Sequence, residues 1–235
     1  MSTRFTAKNV ALVCCFAPLY AVFSFWSLFP VIGAMGKVIT IAAVISPLMG
    51  IILGPSLGSV TVTLGGILGA YLAQTGPFGP LSFIPGAAAA FCSGLLYEGE
   101  RRASAVLYSV LLLAFAFYPS TGPAWLHPYF VWLQLAGLVL LISPLQSKAR
   151  EFMRNQSNSL ELSLGVGLIS FTATLFSHIV GCMMFELLYL PTSRDWQILT
   201  ILYPIERTII TIMAVLIGAP LIRTLKAFGF EIGGK

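Results

Sequence analysis

Charged side chains are scarce in this sequence of 235 residues, where Asp, Glu, Lys and Arg together make up 9%. A soluble domain typically has about 25% charged residues, and so small a share could not cover a water-facing surface. Hydrophobic residues make up 57% of the chain, and the mean hydropathy is +0.92. The lipid bilayer is therefore the expected solvent for most of this protein.

Histidine is also rare, with two residues, and the four cysteines lie inside apolar stretches without paired metal-ligand spacing. The expected role of such cysteines is that of small buried hydrophobes. A catalytic site needs a nucleophile with its base, a metal cluster or paired carboxylates, and the sequence offers no such arrangement. We therefore predict that the protein is not an enzyme and holds no metal or other cofactor.

Two further absences limit the classes of function that the chain can have by itself. The sequence has no phosphate-binding loop of the P-loop type, so any ATP-driven work would need a motor on another protein. The net charge is +5, but the basic residues sit in short gaps between apolar runs. Orientation-setting charges of membrane proteins are placed in this way, and we expect no nucleic-acid partner.

Long apolar runs dominate the chain instead. A membrane-crossing helix needs about 20 apolar residues, with a range of about 17–25. About eight segments approach this length, and because some are short, six or seven true spans with re-entrant pieces are an alternative. The predicted fold is an all-α integral membrane protein, a polytopic helical bundle forming one transmembrane domain over 1–235. The segments are 10–29, 37–53, 56–74, 81–97, 103–118, 125–141, 160–190 and 196–222.

The loops between these segments differ in their basic residues. With the N-terminus inside the cell, the inner loops and tails hold ten Lys and Arg residues, and the outer loops hold two. This bias agrees with the positive-inside rule and predicts a multi-pass protein of the cell membrane with both termini inside. The inner residues are Arg4, Lys8, Arg101, Arg102, Lys148, Arg150, Arg154, Arg223, Lys226 and Lys235, and the outer ones are Lys37 and Arg194.

The polar stretch 143–159 is predicted to be a cytoplasmic loop. Phe152 and Met153 lie among its charges, which indicates a short amphipathic piece at the membrane interface. Membrane lipid is the expected neighbour of this piece.

Small residues recur four positions apart in the first part of the chain. Such spacing lets helix backbones approach closely in lipid, where packing drives association. Two interpretations stay open: the small residues pack within the chain, or some of them face a partner or a moving helix. The pairs are Ala17 with Ala21, Gly54 with Gly58, and Gly65 with Gly69.

An ordered set of phrases in the same part of the chain resembles a known family. The phrases are FAPLYAV (16–22), FPVIGAMGKVIT (29–40), SPLMGIILGPSLGSVTVTLGGILGA (46–70) and FGPLSFIPGAAAAFCSGLL (78–96), with YPIERTIITIMAVLIGAPL (203–221) near the C-terminus. Over about 10–97 the chain is similar to the substrate-binding S component of an energy-coupling factor (ECF) transporter, especially the archaeal type.

This resemblance implies a binder of a vitamin or vitamin precursor, which works with a separate transmembrane coupling protein and two ATPase subunits. The family's small-residue motif in the first helix, which contacts the coupling protein, corresponds to Ala17 and Ala21. Members of the family usually have six spans, so 98–235 would contain additional and C-terminal spans.

The candidates for ionisable residues deep inside the last two apolar segments are His178, Glu186, Glu206 and Arg207. A charge at mid-bilayer costs about 2.5–3.5 kcal/mol on insertion scales, so it usually has a partner or a function. Glu186 lies near the outer end of its segment, and Cys182 and His178 follow below it on a broadly shared helix face.

The depth of Glu206 and Arg207 in the membrane depends on where the last helix begins. A start at Trp196 puts both residues near the midplane. A start at Pro204, as the first helical residue, puts Glu206 in the first turn, where the helix dipole favours an acid. We favour the second interpretation, which places both residues in the outer half, level with Glu186.

These residues suggest a polar pocket in the outer half of the bundle. Glu186, Glu206 and Arg207 would supply its polar contacts, and Lys37 in the first outer loop would cover it. Such a mixed-sign pocket would suit a zwitterionic or multiply polar metabolite. The aromatic residues expected to stack on a planar ligand are Trp125, His127 and Trp196.

Two other interpretations of the same charges stay open. One is an ion pair between Glu186 and Arg207 that holds two helices together, and the other is a role in ion coupling. For the whole chain, we predict a membrane subunit that captures a small solute for an ECF-type importer. The alternative is an accessory structural subunit of a larger membrane complex.

Overall fold

The computed structural model describes residues 6–31, 36–74, 76–155 and 158–233, and nearly all of them are helical. The helices are α1 Ala7–Phe23, α2 Ala42–Leu53, α3 Pro55–Ala73, α4 Phe83–Glu98, α5 Arg101–Ala116, α6 Pro123–Leu126, α7 Trp132–Ile142, α8 Pro144–Asn155, α9 Ser159–Tyr189 and α10 Ser193–Ala227. Short 3₁₀ turns cover Gly79–Ser82 and Pro128–Val131, and two strands, β1 Ser27–Pro30 and β2 Val38–Thr40, form a hairpin.

Four of the described helical stretches are long and apolar enough to cross a membrane: Pro55–Ala73, Gly79–Glu98, Ser159–Tyr189 and Ser193–Ala227. A fifth is obtained if Pro128–Ile142 and Pro144–Arg154, bent by 63°, count as one span. Helices α1 and α2 are apolar but shorter. The prediction of a helical protein with apolar helices of membrane-spanning length is therefore confirmed.

The first two predicted segments end differently from expectation. The helix expected over 10–29 ends at Phe23, and the helix expected from 37 begins at Ala42, because the residues between them pair as an antiparallel hairpin. The pairing gives backbone groups outside the helices hydrogen-bond partners. The β-branched run from Val38 to Thr40 also favours a strand.

The sixth predicted segment, 125–141, is interrupted. Helix α6 stops at Leu126, a 3₁₀ turn follows, and α7 begins only at Trp132. Pro128 is the cause, because a proline disfavours helical backbone angles in the residue before it, and His127 has φ −160° and ψ 78°.

Glycines set the distances between α2, α3 and α4. A Cβ on Gly50 would collide with Ala90 and Ser93 of α4, and a Cβ on Gly94 would collide with the start of α3. Gly54 joins α2 to α3 with φ +82°, a left-handed value that favours glycine. The small residues of this region therefore pack within the chain.

Helices α9 and α10 form a long antiparallel pair. Helix α9 is unbroken over 31 residues, and α10 starts at a capping box in which the Thr192 backbone N–H donates to Asp195 Oδ2 at 2.8 Å. Pro204 lies about three turns inside α10 and not at its start, so our favoured start of this helix is wrong. The capping box at Thr192 supplies the N-terminal signal that we had assigned to Pro204.

The predicted amphipathic piece in 143–159 is confirmed as the helix α8. Its buried residues Ala149 and Met153 pack against α9 at Gly165, so part of its apolar side is covered by the chain itself. Positions 156–157 of this loop lie outside the described residues.

Basic side chains gather at one end of the bundle, where α4 ends, α5 begins and α8 and the end of α10 meet. Several are held by hydrogen bonds to neighbouring elements. These are Arg101 with Ser143 and Ser147, Arg150 with Tyr97, and Lys226 with Met153. Arg4 and Lys235, which belong to the same predicted set, lie outside the described residues. We call this end the basic end.

Candidate ligand-binding cavity

A cavity of about 150 Å³ lies between α1, α2, α3, α4, α9 and α10. Helix α4 lines it with its first turn, at Phe83 and Gly86, whereas the last turn of the same helix, at Tyr97, lies at the basic end. The cavity is therefore near the opposite end of the bundle from most of the basic side chains.

The β1–β2 hairpin covers the cavity. Val38, Ile39 and Thr40 of β2 line it directly, together with Val31 just after β1. The Val31 N–H donates to the Lys37 carbonyl at 2.9 Å, which extends the pairing beyond the strands. Lys37 Nζ also donates to the Gln74 carbonyl at 3.3 Å, so the predicted covering residue ties the hairpin to the end of α3. The Lys37 side chain itself does not line the cavity.

A hydroxyl pair forms part of the wall. Tyr20 Oη of α1 and Ser46 Oγ of α2 are 2.8 Å apart, and Ser46 also donates to the Ala42 carbonyl at 2.8 Å. A Cβ on Gly86 would lie 2.8 Å from Tyr20 Oη and 2.9 Å from Ser46 Oγ. The glycine therefore leaves these hydroxyl groups the space they occupy at the cavity wall.

A second polar group on the wall is built around His178. With the Gln134 amide oriented to satisfy its neighbours, its oxygen accepts from His178 Nε2 at 3.2 Å. The Cys182 Sγ lies 3.7 Å from His178 Nδ1, and the Tyr203 ring meets the imidazole edge-on at a centroid distance of 4.4 Å. His178 is thus held in place from three sides, which agrees with its burial inside an apolar bundle.

Arg207 is the charged side chain that lines the cavity in the described part of the chain. It is 7% exposed, and its guanidinium lies 5.6 Å from the centre of the Tyr203 ring. Its Nη2 lies 3.6 Å from Glu206 Oε2, whereas its Nε is buried without a hydrogen-bond partner among the described residues. The guanidinium therefore has unused donors at the cavity.

The two predicted acids lie behind this wall and not on it. Glu206 and Glu186 are buried but do not line the cavity, although Cys182 lies within electrostatic range of both and of Arg207. Among the described residues Arg207 pairs with Glu206, so the alternative of a Glu186–Arg207 ion pair is wrong. Both carboxylate oxygens of Glu186 lack a hydrogen-bond partner in the same part of the chain.

The three predicted stacking residues lie outside the cavity lining. Trp125 is 62% exposed and packs edge-on against Phe117, and His127 is half-buried beside Tyr129. Trp196 is fully buried, and its Nε1 donates to the Thr121 carbonyl at 3.0 Å. It contacts Phe185, which does line the cavity, so Trp196 supports the wall from behind.

The predicted partner-contact residues are buried inside the chain. Ala17 is 8% exposed and Ala21 is 2% exposed. They face α3, where a Cβ on Gly65 would collide with the Ala17 carbonyl and a Cβ on Gly69 would lie 3.4 Å from the Ala21 carbonyl. A partner could reach these alanines only if α1 moved away from α3.

Sequence reasoning missed the hairpin, Tyr20 and Ser46. The strands lie within apolar runs that read equally well as parts of helices. Tyr20 and Ser46 are 26 positions apart, and neither stands out in its own segment. The signal that could have found them is indirect: both fall within the phrases FAPLYAV and SPLMGIILGPSLGSVTVTLGGILGA.

Fold and cavity together define a class: a bundle of membrane-length apolar helices with a small cavity near one end, lined in part by a hairpin. No family model matches the sequence, and no solved structure matches it. The chain is similar to the uncharacterized protein MJ0923 of Methanocaldococcus jannaschii, with 28% identity over 187 residues. This alignment covers 79% of the chain and 61% of that protein, so the chain spans about three fifths of the relative's length.

Proposed function

We propose that this chain is a membrane subunit that captures a small solute in the covered cavity between α1–α4 and α9–α10. The observation that carries the proposal is the cavity itself. It joins apolar walls to a few fixed polar groups, here Arg207, His178 and the Tyr20–Ser46 pair. Binding sites for small molecules typically combine these features.

The basic end supports an orientation for this subunit. Lys and Arg residues are enriched in cytoplasmic loops, so we assign the basic end to the inside of the cell and the cavity to the outer half. In this topology the chain is multi-pass, with about eight spans and both termini inside. Each predicted apolar segment contains a helix, and the shorter α1, α2, α5 and α7 are the ones in which spans and re-entrant pieces have to be distinguished.

The resemblance to ECF S components supports the same assignment from a different direction. Phrases that carry it supply much of the cavity wall: Tyr20 lies in 16–22, Ser46 in 46–70 and Gly86 in 78–96. The C-terminal phrase 203–221 contains Arg207. We infer delivery of a vitamin-like solute through a separate coupling protein driven by ATPase subunits.

Small molecules retained by the purified protein test this proposal. Gly181 faces the cavity, and a Cβ there would meet only Pro85, at 3.8 Å, so Gly181→Leu fills the cavity without a close clash at the Cβ. Gly167→Leu is the control on the same helix outside the cavity lining, where the new side chain would press on Val215, at 3.2 Å from the Cβ, and not on the cavity. Mass spectrometry should find a molecule that is retained by the wild type and by Gly167→Leu and lost from Gly181→Leu.

The contrary result is equally concrete. If Gly181→Leu retains the same molecules as the wild type, the cavity is not the binding site. The proteins that co-purify with the chain distinguish the two candidate functions. ATPase subunits support the importer, and a large enzyme complex with no retained solute favours an accessory structural subunit.

A further inference from the structure

The size of the cavity limits its occupant. An engineered protein cavity of roughly 150 Å³ holds a benzene molecule. The cavity here has about the same volume. The part of a ligand that the cavity holds is therefore about the size of a single ring with a small substituent.

The unused donors of Arg207 determine which polar group the occupant presents. A guanidinium has five N–H groups in one plane and no acceptor. Its closest ionic neighbour, Glu206 Oε2, is 3.6 Å from Nη2, beyond a good hydrogen-bond distance. Nε is buried without a hydrogen-bond partner among the described residues. Because Nε has almost no accessible surface, the donors left for a ligand are those of the two terminal Nη groups. An acceptor on the ligand would satisfy those that face the cavity.

The orientation of the guanidinium is fixed before a ligand arrives. Arg207 lies against the Tyr203 ring at 5.6 Å, and Tyr203 in turn packs edge-on against His178. Cation–π contact of this kind holds a guanidinium without using its N–H groups. The donors at the cavity are therefore positioned for a planar acceptor edge.

The charge balance around Arg207 then decides the charge of the ligand. Glu206 already compensates Arg207, so a charged ligand beside Arg207 would bring a charge that this ion pair does not balance. Glu186, the other buried acid, does not line the cavity. A cation would meet the guanidinium itself, since Arg207 and not an acid lines the cavity. Of the other titratable groups that line the cavity, Tyr20, His178 and Cys182 are buried and Tyr203 is partly buried, and none of them is an acid, a lysine or an arginine.

We propose that the cavity binds an uncharged planar ligand of single-ring size, whose hydrogen-bond acceptors face the free donors of Arg207. This inference rests on the proposed function, because it names the class of solute for the same cavity. It replaces the zwitterionic metabolite expected from the sequence, since the two acids lie behind the wall and only the guanidinium reaches the cavity.

Three probes with the same ring test the charge preference: benzamide, benzoate and benzylammonium. Binding to the full-length protein in detergent or nanodiscs is measured by saturation-transfer NMR and by calorimetry. We expect benzamide to bind at least about tenfold tighter than either charged probe, because each charged probe brings a charge that the Arg207–Glu206 pair does not balance. Tighter binding of benzoate or benzylammonium would overturn the proposal.

Glu206→Gln tests the charge balance directly. Without the carboxylate, Arg207 lacks its compensating charge, so the preference should shift toward benzoate by about tenfold or more relative to benzamide. Glu151→Gln is the control, because it changes the net charge equally at an exposed position on α8. An unchanged benzoate-to-benzamide ratio in Glu206→Gln would contradict the role assigned to Glu206.

Arg207→Lys tests whether binding needs the planar set of N–H donors of the guanidinium or only its positive charge. The substitution keeps a cation but removes the planar set of N–H groups, so benzamide affinity should fall about tenfold while the protein remains folded by thermal unfolding. Equal benzamide affinity in this variant would exclude Arg207 as the acceptor-binding residue. If no probe binds while the wild type retains a larger molecule that Gly181→Leu loses, the ring-sized class fails and the solute-capture function stands.

Discussion

Helices α1–α4 bring small residues and hydroxyl groups to the cavity, whereas α9 and α10 bring the ionisable side chains. In the first region close approach is the main feature: Gly50 and Gly94 touch neighbouring backbones, and the chain turns sharply at Gly54. In the second region two long helices run side by side and bury Glu186, Glu206 and Arg207. The first region gives the cavity its shape, and the second gives it its electrostatics.

This contrast means that the two regions should respond to different substitutions. Adding volume should damage α1–α4, and removing a charge should damage the α9–α10 pair. Substitutions in each region test whether this division holds.

Arg207→Met should give the largest loss of stability. It leaves Glu206 as a buried charge without its ion-pair partner, and losing one partner of a buried pair costs about 3–5 kcal/mol. The double variant with Glu206→Leu should recover most of this loss, because the carboxylate that lost its partner is removed as well. Thermal unfolding in a fixed detergent measures both variants. A double variant as unstable as the single one would show that volume, not charge, governs this region.

Gly50→Val should destabilise the first region by about 1–3 kcal/mol, the usual range for overpacking. The new side chain would collide with Ala90 and Ser93 of α4. Gly181→Val is the matched control on α9, where a Cβ has room. Unfolding temperature and monodispersity on size exclusion report the effect, and equal stability of the two variants would remove the distinction between the regions.

The Tyr20–Ser46 contact should contribute a smaller amount. A double-mutant cycle with Tyr20→Phe and Ser46→Ala should give a coupling energy of about 0.5–1.5 kcal/mol, the value of one hydrogen bond. Ligand binding measured on the same variants shows whether the pair also touches the solute. A coupling near zero would mean that each hydroxyl is satisfied without the other.

Lys37→Ala should have the smallest effect on global stability, within about 0.5 kcal/mol. The substitution removes the hydrogen bond from the hairpin to Gln74 at the end of α3. Hydrogen exchange of the backbone amides of β1 and β2 should nevertheless become faster, whereas Lys148→Ala at the basic end should leave it unchanged. Unaltered exchange in Lys37→Ala would show that the strands alone hold the cover.

The sequence was most informative about the helices and least informative about how they end. Each apolar segment contains a helix, because the composition of the runs leaves no other way to satisfy the backbone in lipid. The hairpin escaped prediction because three or four residues within an apolar run have no distinctive periodicity. Pro204 misled us because proline favours a helix start in general, and the Thr192 capping box three turns earlier was the stronger signal.

Of the candidate site, the sequence predicted Arg207 but not the other residues of the wall. Arg207 stood out because a charge inside an apolar segment is rare, and it does line the cavity. Trp125 and His127 were chosen for their depth in the membrane, but depth does not say which side of the bundle a ring faces. Tyr20 and Ser46 come together only through the packing of α1 on the other helices, which a single sequence does not reveal.

The hairpin that covers the cavity continues directly from α1, with three residues between Phe23 and β1. The inner face of α1 is held by the close contacts of Ala17 and Ala21 with α3. Any movement that draws α1 away from α3 therefore also pulls on the cover. Exposing these two alanines and opening the cavity would then be a single displacement.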